Sequence, residues 1–396
     1  MDLYIWGDMG INYMLKFRCH PIYLVFIAFA FCWHCNSPKV DFSGELQEIA
    51  PKYATGFSLW QGDGYWIVEV KKGYASQEKP FRYLVTADGK NIPLDRDLAA
   101  KVVLPADRVI LTSTTQVPHL DYLEASHHLV AFPDPDLISS EKTRVRIDAG
   151  LVEDLGSGAQ ANIERIIDVQ PDWIMISSMG NDLQNLDLLE KAGIPAILNG
   201  EYLEQHPLGR AEWILVTGVL LGKMDTAINI FQEIERSYQE AQALVRESEL
   251  DLPTVLTGVM YQDTWYVPGG ESWAAQLLEA AGANYIFSDI PGTASAQLNY
   301  EYVLDKGIEA NIWIGAADFS SLEKMAQAEN RYTQFKAFQT GEVYTYSLKK
   351  GVTGGLEYFE LGYLRPDWIL KDLVKILHPE LLPGYEPYFY QKIHAK

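Results

Sequence analysis

The chain has 396 residues, and its 32 Lys and Arg against 53 Asp and Glu give a formal net charge of −21. Such an acidic balance argues against a nucleic-acid binder, because phosphate binding needs a surface rich in cations. With 48% hydrophobic and 21% charged residues, the composition is that of a folded globular protein of roughly two or three domains, and it excludes extensive disorder.

The N-terminus reads as an export signal. Lys16 and Arg18 precede an apolar run over residues 22–31, which is about the length of a signal-peptide core and too short to span a membrane. A cysteine directly after such a run resembles a bacterial lipoprotein signal, in which that cysteine is lipidated. Cys35 is the predicted lipidation site, with Cys32 as the alternative. An uncleaved apolar anchor is the other interpretation, and each of them predicts an extracytoplasmic protein.

All three cysteines of the chain, the third being Cys19, lie in its first tenth. The remainder therefore offers no thiol for a disulfide, a zinc site or a nucleophile. We expect its fold to depend on its hydrophobic core alone.

The body alternates short apolar strands with amphipathic helices, which is typical of α/β lobes with parallel sheets. An aromatic, glycine-punctuated stretch over residues 53–86 first predicts β-hairpins. In the first lobe, strands are predicted at 108–112, 128–132, 172–177 and 195–199, and helices at 162–169 and 185–192. In the second lobe, strands are predicted at 254–261, 265–267, 312–315 and 343–346, and helices at 272–281, 300–306 and 368–377.

Between these arrays, residues 211–221 predict a helix that is apolar on nearly all sides. Apolar residues then recur at helical spacing from Met224 to Glu247. At about 1.5 Å per residue this helix would be roughly 35 Å long, enough to join two lobes. The resulting domain prediction is a signal peptide at 1–35, an extension with β-hairpins at 36–107, an N-terminal lobe at 108–210, the apolar and long interlobe helices at 211–250, and a C-terminal lobe at 251–396.

The two lobes share a short repeated motif. NIERIID over residues 162–168 precedes one predicted strand and NYEYVLD over residues 299–305 precedes another. In both, Asn occupies a helix N-cap position and a glutamate, Glu164 or Glu301, follows two residues later. From the pattern alone, capping and a favourable charge at the positive end of the helix explain these acids.

The chain resembles the substrate-binding proteins of bacterial ABC importers for iron-siderophore, haem and cobalamin complexes, whose two lobes are joined by one long helix. The resemblance runs from about Val109 to the end of the chain. It is carried by NIERI with QPDWIMI at 170–176, PGGESW at 268–273 with LLEAAGAN at 277–284, NYE at 299–301, and RPDW at 365–368 with LHPEL at 377–381.

The resemblance implies that Glu164 and Glu301 dock into arginine pockets on two permease subunits, a role that exposed carboxylates on two lobes suit. It further implies a monomeric, lipid-anchored protein that captures a small metal chelate, performs no catalysis and holds no cofactor. An iron-siderophore chelate is the leading interpretation, with cobalamin or haem as the alternative. A surface lipoprotein without a permease also stays open.

The ligand cleft is expected between the lobes, because open α/β sheets bind ligands at the carboxyl ends of their strands. Aromatic faces and hydroxyls in loops at these positions suit a large, partly apolar chelate. The candidates are Trp60, Tyr65, Ser113, Thr114, Thr115, Met179, Tyr261, Trp265, Tyr266, Trp273 and Thr293.

The few suggestive cations slightly favour a neutral or weakly charged chelate. They are Arg210, Arg331, Lys349 and Lys350, and the sequence does not place them. A long rigid helix between the lobes also favours small lobe movements and a largely preformed site.

Two other classes are disfavoured. A bare zinc or manganese binder needs several converging His and carboxylate ligands, yet only His119 follows the first strand of the lobe. A nucleotide-dependent enzyme is suggested only by GSGAQA at 156–161, which lacks a good preceding strand. No serine-nucleophile elbow or paired zinc histidines occur in the sequence, so a surface lipoprotein enzyme is the weakest alternative.

Overall fold

The computed structural model describes residues 46–87, 98–156, 163–178, 180 and 184–395. The predicted signal peptide, Cys32, Cys35 and Met179 therefore lie outside the described residues. Those described belong to one compact unit.

The segment before the first lobe is a five-stranded sheet rather than separate hairpins. Its strands pair in the order β1-β2-β3-β4-β5, antiparallel except for the parallel pair β4 and β5. A two-residue turn at Asp63 and Gly64, with Gly64 at φ +74°, joins β2 to β3. The strands are β1 Gln47–Ile49, β2 Phe57–Gly62, β3 Tyr65–Val70, β4 Phe81–Ala87 and β5 Ala100–Leu104.

The N-terminal lobe contains a parallel sheet in the order β10-β9-β6-β7-β8. All four predicted strands and both predicted helices occur in it, each within a residue or two of its predicted ends. The elements are β6 Val109–Leu111, α1 Val117–Tyr122, β7 Leu129–Phe132, α2 Glu141–Asp148, β8 Glu153–Asp154, α3 Ile163–Val169, β9 Trp173–Ile176, α4 Gln184–Lys191 and β10 Ala196–Leu198.

Three helices link the lobes. The predicted apolar helix is instead two shorter helices, α5 Pro207–Glu212 and α6 Ile214–Leu220, and Pro207 at the first helical position starts the pair four residues earlier than expected. The predicted long helix is α7, Met224–Arg246, which packs on α6 and on the C-terminal helix α13, Pro366–Leu377. Its Ser237 donates a hydrogen bond to Asp367 at 2.6 Å.

The C-terminal lobe has a five-stranded sheet, β14-β11-β16-β17-β18, that is parallel except for β18, and a three-stranded antiparallel sheet, β12-β13-β15. Its other helices are α8 Trp273–Ala280, α9 Tyr300–Gly307, α10 Leu322–Ala328, α11 Lys336–Thr340 and α12 Glu357–Glu360. Its strands are β11 Thr254–Thr257, β12 Val259–Tyr261, β13 Thr264–Pro268, β14 Asn284–Tyr285, β15 Ser295–Leu298, β16 Ile312–Ile314, β17 Val343–Thr345 and β18 Gln391–Lys392.

The prediction of one strand over residues 254–261 is wrong, because Gly258 divides it. Gly258 has φ +78°, and a Cβ there would lie 1.9 Å from the carbonyl oxygen of Tyr266. Only glycine permits this turn and this close approach, so the chain leaves the parallel sheet at Thr257 and enters the antiparallel one.

Two buried carboxylates join the N-terminal sheet to the lobe. Glu212 accepts hydrogen bonds from the backbone amides of residues 52, 53 and 54, at 2.6, 2.8 and 2.8 Å. Glu204 accepts them from the amides of Thr55 and Gly56 and from the indole of Trp213. Hydrogen bonds to charged acceptors are worth about 1.5–3 kcal/mol each, so the sheet is a firmly attached part of the fold.

The lobes also touch along one edge. The turn at residues 350–356 in the C-terminal lobe packs on Ser139 of the N-terminal lobe. The carboxylate of Glu360, which is 3% exposed, accepts hydrogen bonds from the backbone amides of Ser139 and Ser140 at 2.7 and 2.8 Å. The contact closes one side of the space between the lobes.

Candidate functional site

The strand order of the C-terminal lobe creates a crevice between β11 and β16. Within this sheet the chain continues from β11 to β14 on one side and from β16 to β17 on the other, so the connections diverge between β11 and β16. Such switch points are where α/β sheets bind ligands. Thr257 and Gly258 at the end of β11, and Ile314 and Gly315 at the end of β16, line a pocket of about 430 Å³. This volume lies in the range of small-molecule sites, about 300–1,000 Å³.

One wall of the pocket is aromatic. Tyr346 stacks on Tyr358 with ring centroids 4.9 Å apart, and Phe359 packs edge-on against both at 5.1 Å. Tyr390 meets Tyr358 at 5.6 Å. Burial raises the pKa of Tyr346, Tyr358 and Tyr390, so these phenols are neutral at physiological pH and offer apolar faces with a few hydroxyls.

A single cation, Arg210 of α5, lines this pocket within the described chain. Its guanidinium carbon lies 4.6 Å from the ring centre of Trp273 and 4.5 Å from that of Tyr363. It donates hydrogen bonds to the carbonyls of Glu204 at 3.1 Å and Tyr202 at 3.0 Å. Its Nη1 has no hydrogen-bond partner. The side chain is thus fixed by two carbonyls and two aromatic rings while retaining donor capacity.

The N-terminal lobe holds a group of buried polar side chains, one of which, Glu201, interacts electrostatically with Arg210. Thr115 donates to the carboxylate of Glu201, which is 2% exposed. Burial raises the pKa of Glu201 to about 7, against the lowering effects of Thr115, Arg210 and Asn199. Burial also lowers the pKa of His119 to about 3, so this imidazole is neutral.

The predicted ligand residues divide into three groups. Trp273 and Thr293 line the pocket. Ser113, Thr114 and Thr115 form a half-buried turn after β6 in the opposite lobe, and the one-turn helix 114–116 contacts α12.

Neither this turn nor the other described ligand candidates line the pocket. Trp265 is fully buried, donates to the carbonyl of Thr257 and stacks on Trp313, so its prediction as a ligand residue is corrected to a core residue. The sequence mispredicted it because alternation along a strand does not reveal which face is covered. The remaining four lie on the surface of the small C-terminal sheet or in the N-terminal sheet, namely Tyr261, Tyr266, Trp60 and Tyr65.

Among the four suggestive cations, the other three lie off the pocket lining. Arg331 is paired with Glu329 at 2.7 Å, and Lys350 is paired with Asp318 at 2.6 Å. Lys349 lies 5.5 Å from the ring centre of Tyr388. The pocket wall therefore carries one positive charge.

Several pocket residues were missed at the sequence level. Tyr346, Tyr358, Phe359 and Tyr390 come from segments late in the chain that carry no binding motif. The available signal was positional, because Tyr346 is the last residue of the strand predicted at 343–346 and lies at the same sheet edge as the chosen loops.

The two glutamates of the repeated motif are both exposed, and each lies in the first turn of a helix. Glu164 is the second residue of α3, and Glu301 is the second residue of α9. Asn299 caps α9, accepting from the amide of Tyr302 at 2.8 Å, whereas Asn162 lies outside the described residues. The two lobes thus carry a carboxylate at similar helix starts.

Within the described ranges, no helix is long and apolar enough to cross a membrane. In the same ranges, no group of three or more His, Cys, Asp or Glu side chains is arranged to hold a metal ion.

The chain is similar to known proteins over most of its length. A family model described as periplasmic binding protein matches residues 109–348. An uncharacterized lipoprotein of Methanocaldococcus jannaschii is 29% identical over 250 residues, which cover 62% of this chain and only 58% of that relative.

Solved structures share the fold. The periplasmic haem-binding protein HutB of Vibrio cholerae matches with a TM-score of 0.54 and 14% identity, over 68% of this chain and 99% of its own. An ABC-type Fe³⁺-hydroxamate transport protein of Saccharomonospora viridis matches with a TM-score of 0.51 and 15% identity, over 69% of this chain and 94% of its own. The N-terminal sheet precedes the range that the family model matches.

Proposed function

The chain belongs to the periplasmic binding protein family, and on that premise we propose that it is the extracytoplasmic, lipid-anchored substrate-binding component of an ABC importer for an iron-siderophore-type chelate. The observation that carries the proposal is the pocket at the β11–β16 switch point. It combines an aromatic wall with one fixed guanidinium.

The charge of the pocket narrows the ligand class. Among the described lining residues Arg210 supplies the one positive charge, so a chelate with one anionic group matches the site better than a triply charged catecholate complex. The volume of about 430 Å³ lies in the lower half of the usual range for ligand sites, which favours a compact chelate over a bulky corrinoid. Both features support a compact ferric hydroxamate that carries one free carboxylate.

Delivery to a permease is supported by the exposed carboxylates of Glu164 and Glu301. Each is placed on a different lobe, where a bidentate arginine of a partner can pair with it. The same arrangement would seat the pocket between the two contacts, above a transport pore.

A titration of the purified full-length chain tests the proposal. Ferric hydroxamate, ferric catecholate, haemin and cyanocobalamin are each added while intrinsic tryptophan fluorescence is recorded. We expect saturable quenching with a ferric hydroxamate. Tight binding of haemin or cyanocobalamin alone would select the alternative ligand, and no saturable binding of any of the four would refute the chelate proposal.

A matched pair of arginine variants locates the site. Arg210→Gln removes the pocket charge, and loss of one charged hydrogen bond, about 1.5–3 kcal/mol, weakens binding roughly 10- to 100-fold. Arg331→Gln is the control, because Arg331 also lies over an aromatic ring, Tyr300 at 4.9 Å, but does not line the pocket. Equal effects of both substitutions would contradict the assignment of the pocket.

A further inference from the structure

Four buried polar atoms, on Gln116, His119, Glu201 and Arg210, lack hydrogen-bond partners within the described chain. Oε2 of Glu201 lies 3.9 Å from Nε2 of His119, and neither atom has a partner. The same holds for Nε2 of Gln116 and for Nη1 of Arg210. The residues are 0–7% exposed. Since an unsatisfied buried polar group costs about 1–3 kcal/mol, stability does not account for this cluster.

Within the cluster, Glu201 and Arg210 are the only pair whose charges oppose each other. The groups that face Glu201 are the hydroxyl of Thr115, the side chain of Asn199, the neutral imidazole of His119 from α1 and the guanidinium of Arg210 from α5. Arg210 is in turn faced by the phenols of Tyr358 and Tyr363 and by the ring of Trp273.

The protonation state of Glu201 therefore determines how much of the positive charge of Arg210 at the pocket wall is compensated. Burial raises the pKa of Glu201 to about 7, so its carboxyl changes charge near neutral pH. Arg210 remains protonated throughout this range.

We propose that Glu201 is a positioning residue that couples anion binding at Arg210 to uptake of one proton. Ionised Glu201 compensates part of the guanidinium charge, and protonated Glu201 leaves that charge more available to an anionic group of the ligand. The inference rests on the proposed function, because Arg210 lines the ligand pocket. It predicts that a monoanionic chelate binds more tightly at pH 6 than at pH 8, by about fivefold or more.

Because ligand binding and protonation affect each other reciprocally, proton uptake on binding is the quantity to measure. If a lower pH tightens ligand binding, then ligand binding must draw a proton onto the protein. Calorimetric titration of the full-length chain with a ferric hydroxamate carrying one free carboxylate, at pH 7 in two buffers of different ionisation enthalpy, measures this uptake. In parallel, infrared pH titrations of the wild type and of Glu201→Gln without ligand isolate the protonated carboxyl of Glu201 as their difference, since Glu360 contributes equally to both.

Glu201→Gln is the test variant, and Glu360→Gln is the matched control. Burial raises the pKa of Glu360 to about 7 as well, but Glu360 bonds to the backbone at the lobe contact rather than to the pocket cluster. We expect proton uptake and pH-dependent affinity in the wild type and in Glu360→Gln, and neither in Glu201→Gln. Glu201→Asp, which keeps a carboxyl, should restore proton uptake if Glu201→Gln folds poorly.

The outcomes separate this inference from the proposed function. Chelate binding without proton uptake, uptake that persists in Glu201→Gln, or a wild-type minus Glu201→Gln infrared difference spectrum with no carboxyl titrating near pH 7 would overturn the role of Glu201 while leaving chelate binding intact. If no chelate binds at any pH, the proposed function fails and the coupling fails with it.

Discussion

Substituting either of two tryptophans should separate stability from ligand binding. Trp265 is fully buried, donates to the carbonyl of Thr257 at 2.9 Å and stacks on Trp313 at 5.3 Å. Trp265→Phe leaves that carbonyl without its donor, at about 1–3 kcal/mol, and forfeits about 1 kcal/mol of buried apolar surface. We therefore expect the free energy of unfolding to fall by about 2–4 kcal/mol, with chelate affinity unchanged within about twofold.

Trp273→Phe is the matched variant at the pocket. Trp273 is half-buried and lies 4.6 Å from the guanidinium carbon of Arg210. Weakening this cation–π contact, worth about 0.5–2 kcal/mol, should reduce chelate affinity about three- to tenfold and cost less than about 1 kcal/mol of stability. Urea unfolding and fluorescence titration measure the two quantities. A large loss of affinity in Trp265→Phe combined with none in Trp273→Phe would refute the assignment of their roles.

Three other predictions concern the lobes. Glu164→Arg and Glu301→Arg together should abolish uptake in cells but leave the dissociation constant of the purified protein unchanged; intact uptake would contradict permease docking. Gly351→Ala introduces a Cβ 2.7 Å from Cα of Ser139, so it should widen the spacing between spin labels on the two lobes, and an unchanged distance would argue against this contact. Glu360 has a pKa of about 7 in the folded chain against an ordinary value of 4.5, so the folded state holds its proton more tightly. The free energy of unfolding should then fall as pH rises from about 4.5 to 7, by about 3 kcal/mol, and Glu360→Gln should flatten this slope. A wild-type stability that rises over the same window would show the opposite linkage.

Local periodicity predicted the regular elements of the body well. The four strands of the N-terminal lobe and the helix from Met224 were predicted to within a residue or two, because each has a clear apolar pattern. The split at Gly258 was missed because its cause, the close approach of the carbonyl of Tyr266, is a tertiary contact. The same holds for the buried carboxylates Glu204 and Glu212, whose partners lie about 150 residues earlier.

The site was predicted less completely than the fold. Loop position selects Trp273 and Thr293, which line the pocket, since the carboxyl ends of strands are readable from the sequence; their role as ligand residues stays a prediction. The orientation of each aromatic was not readable, so Trp265 was chosen although it points into the core. The role of Arg210 depends on the carbonyls and rings that fix it, and these come from three separate segments.

A crystal structure of the full-length chain bound to a ferric hydroxamate, with the iron located by its anomalous scattering, addresses the pocket most directly. We expect one iron peak in the space between Arg210 and the stacked rings of Tyr346 and Tyr358. Iron bound elsewhere on the molecule, with this pocket empty, would contradict the account.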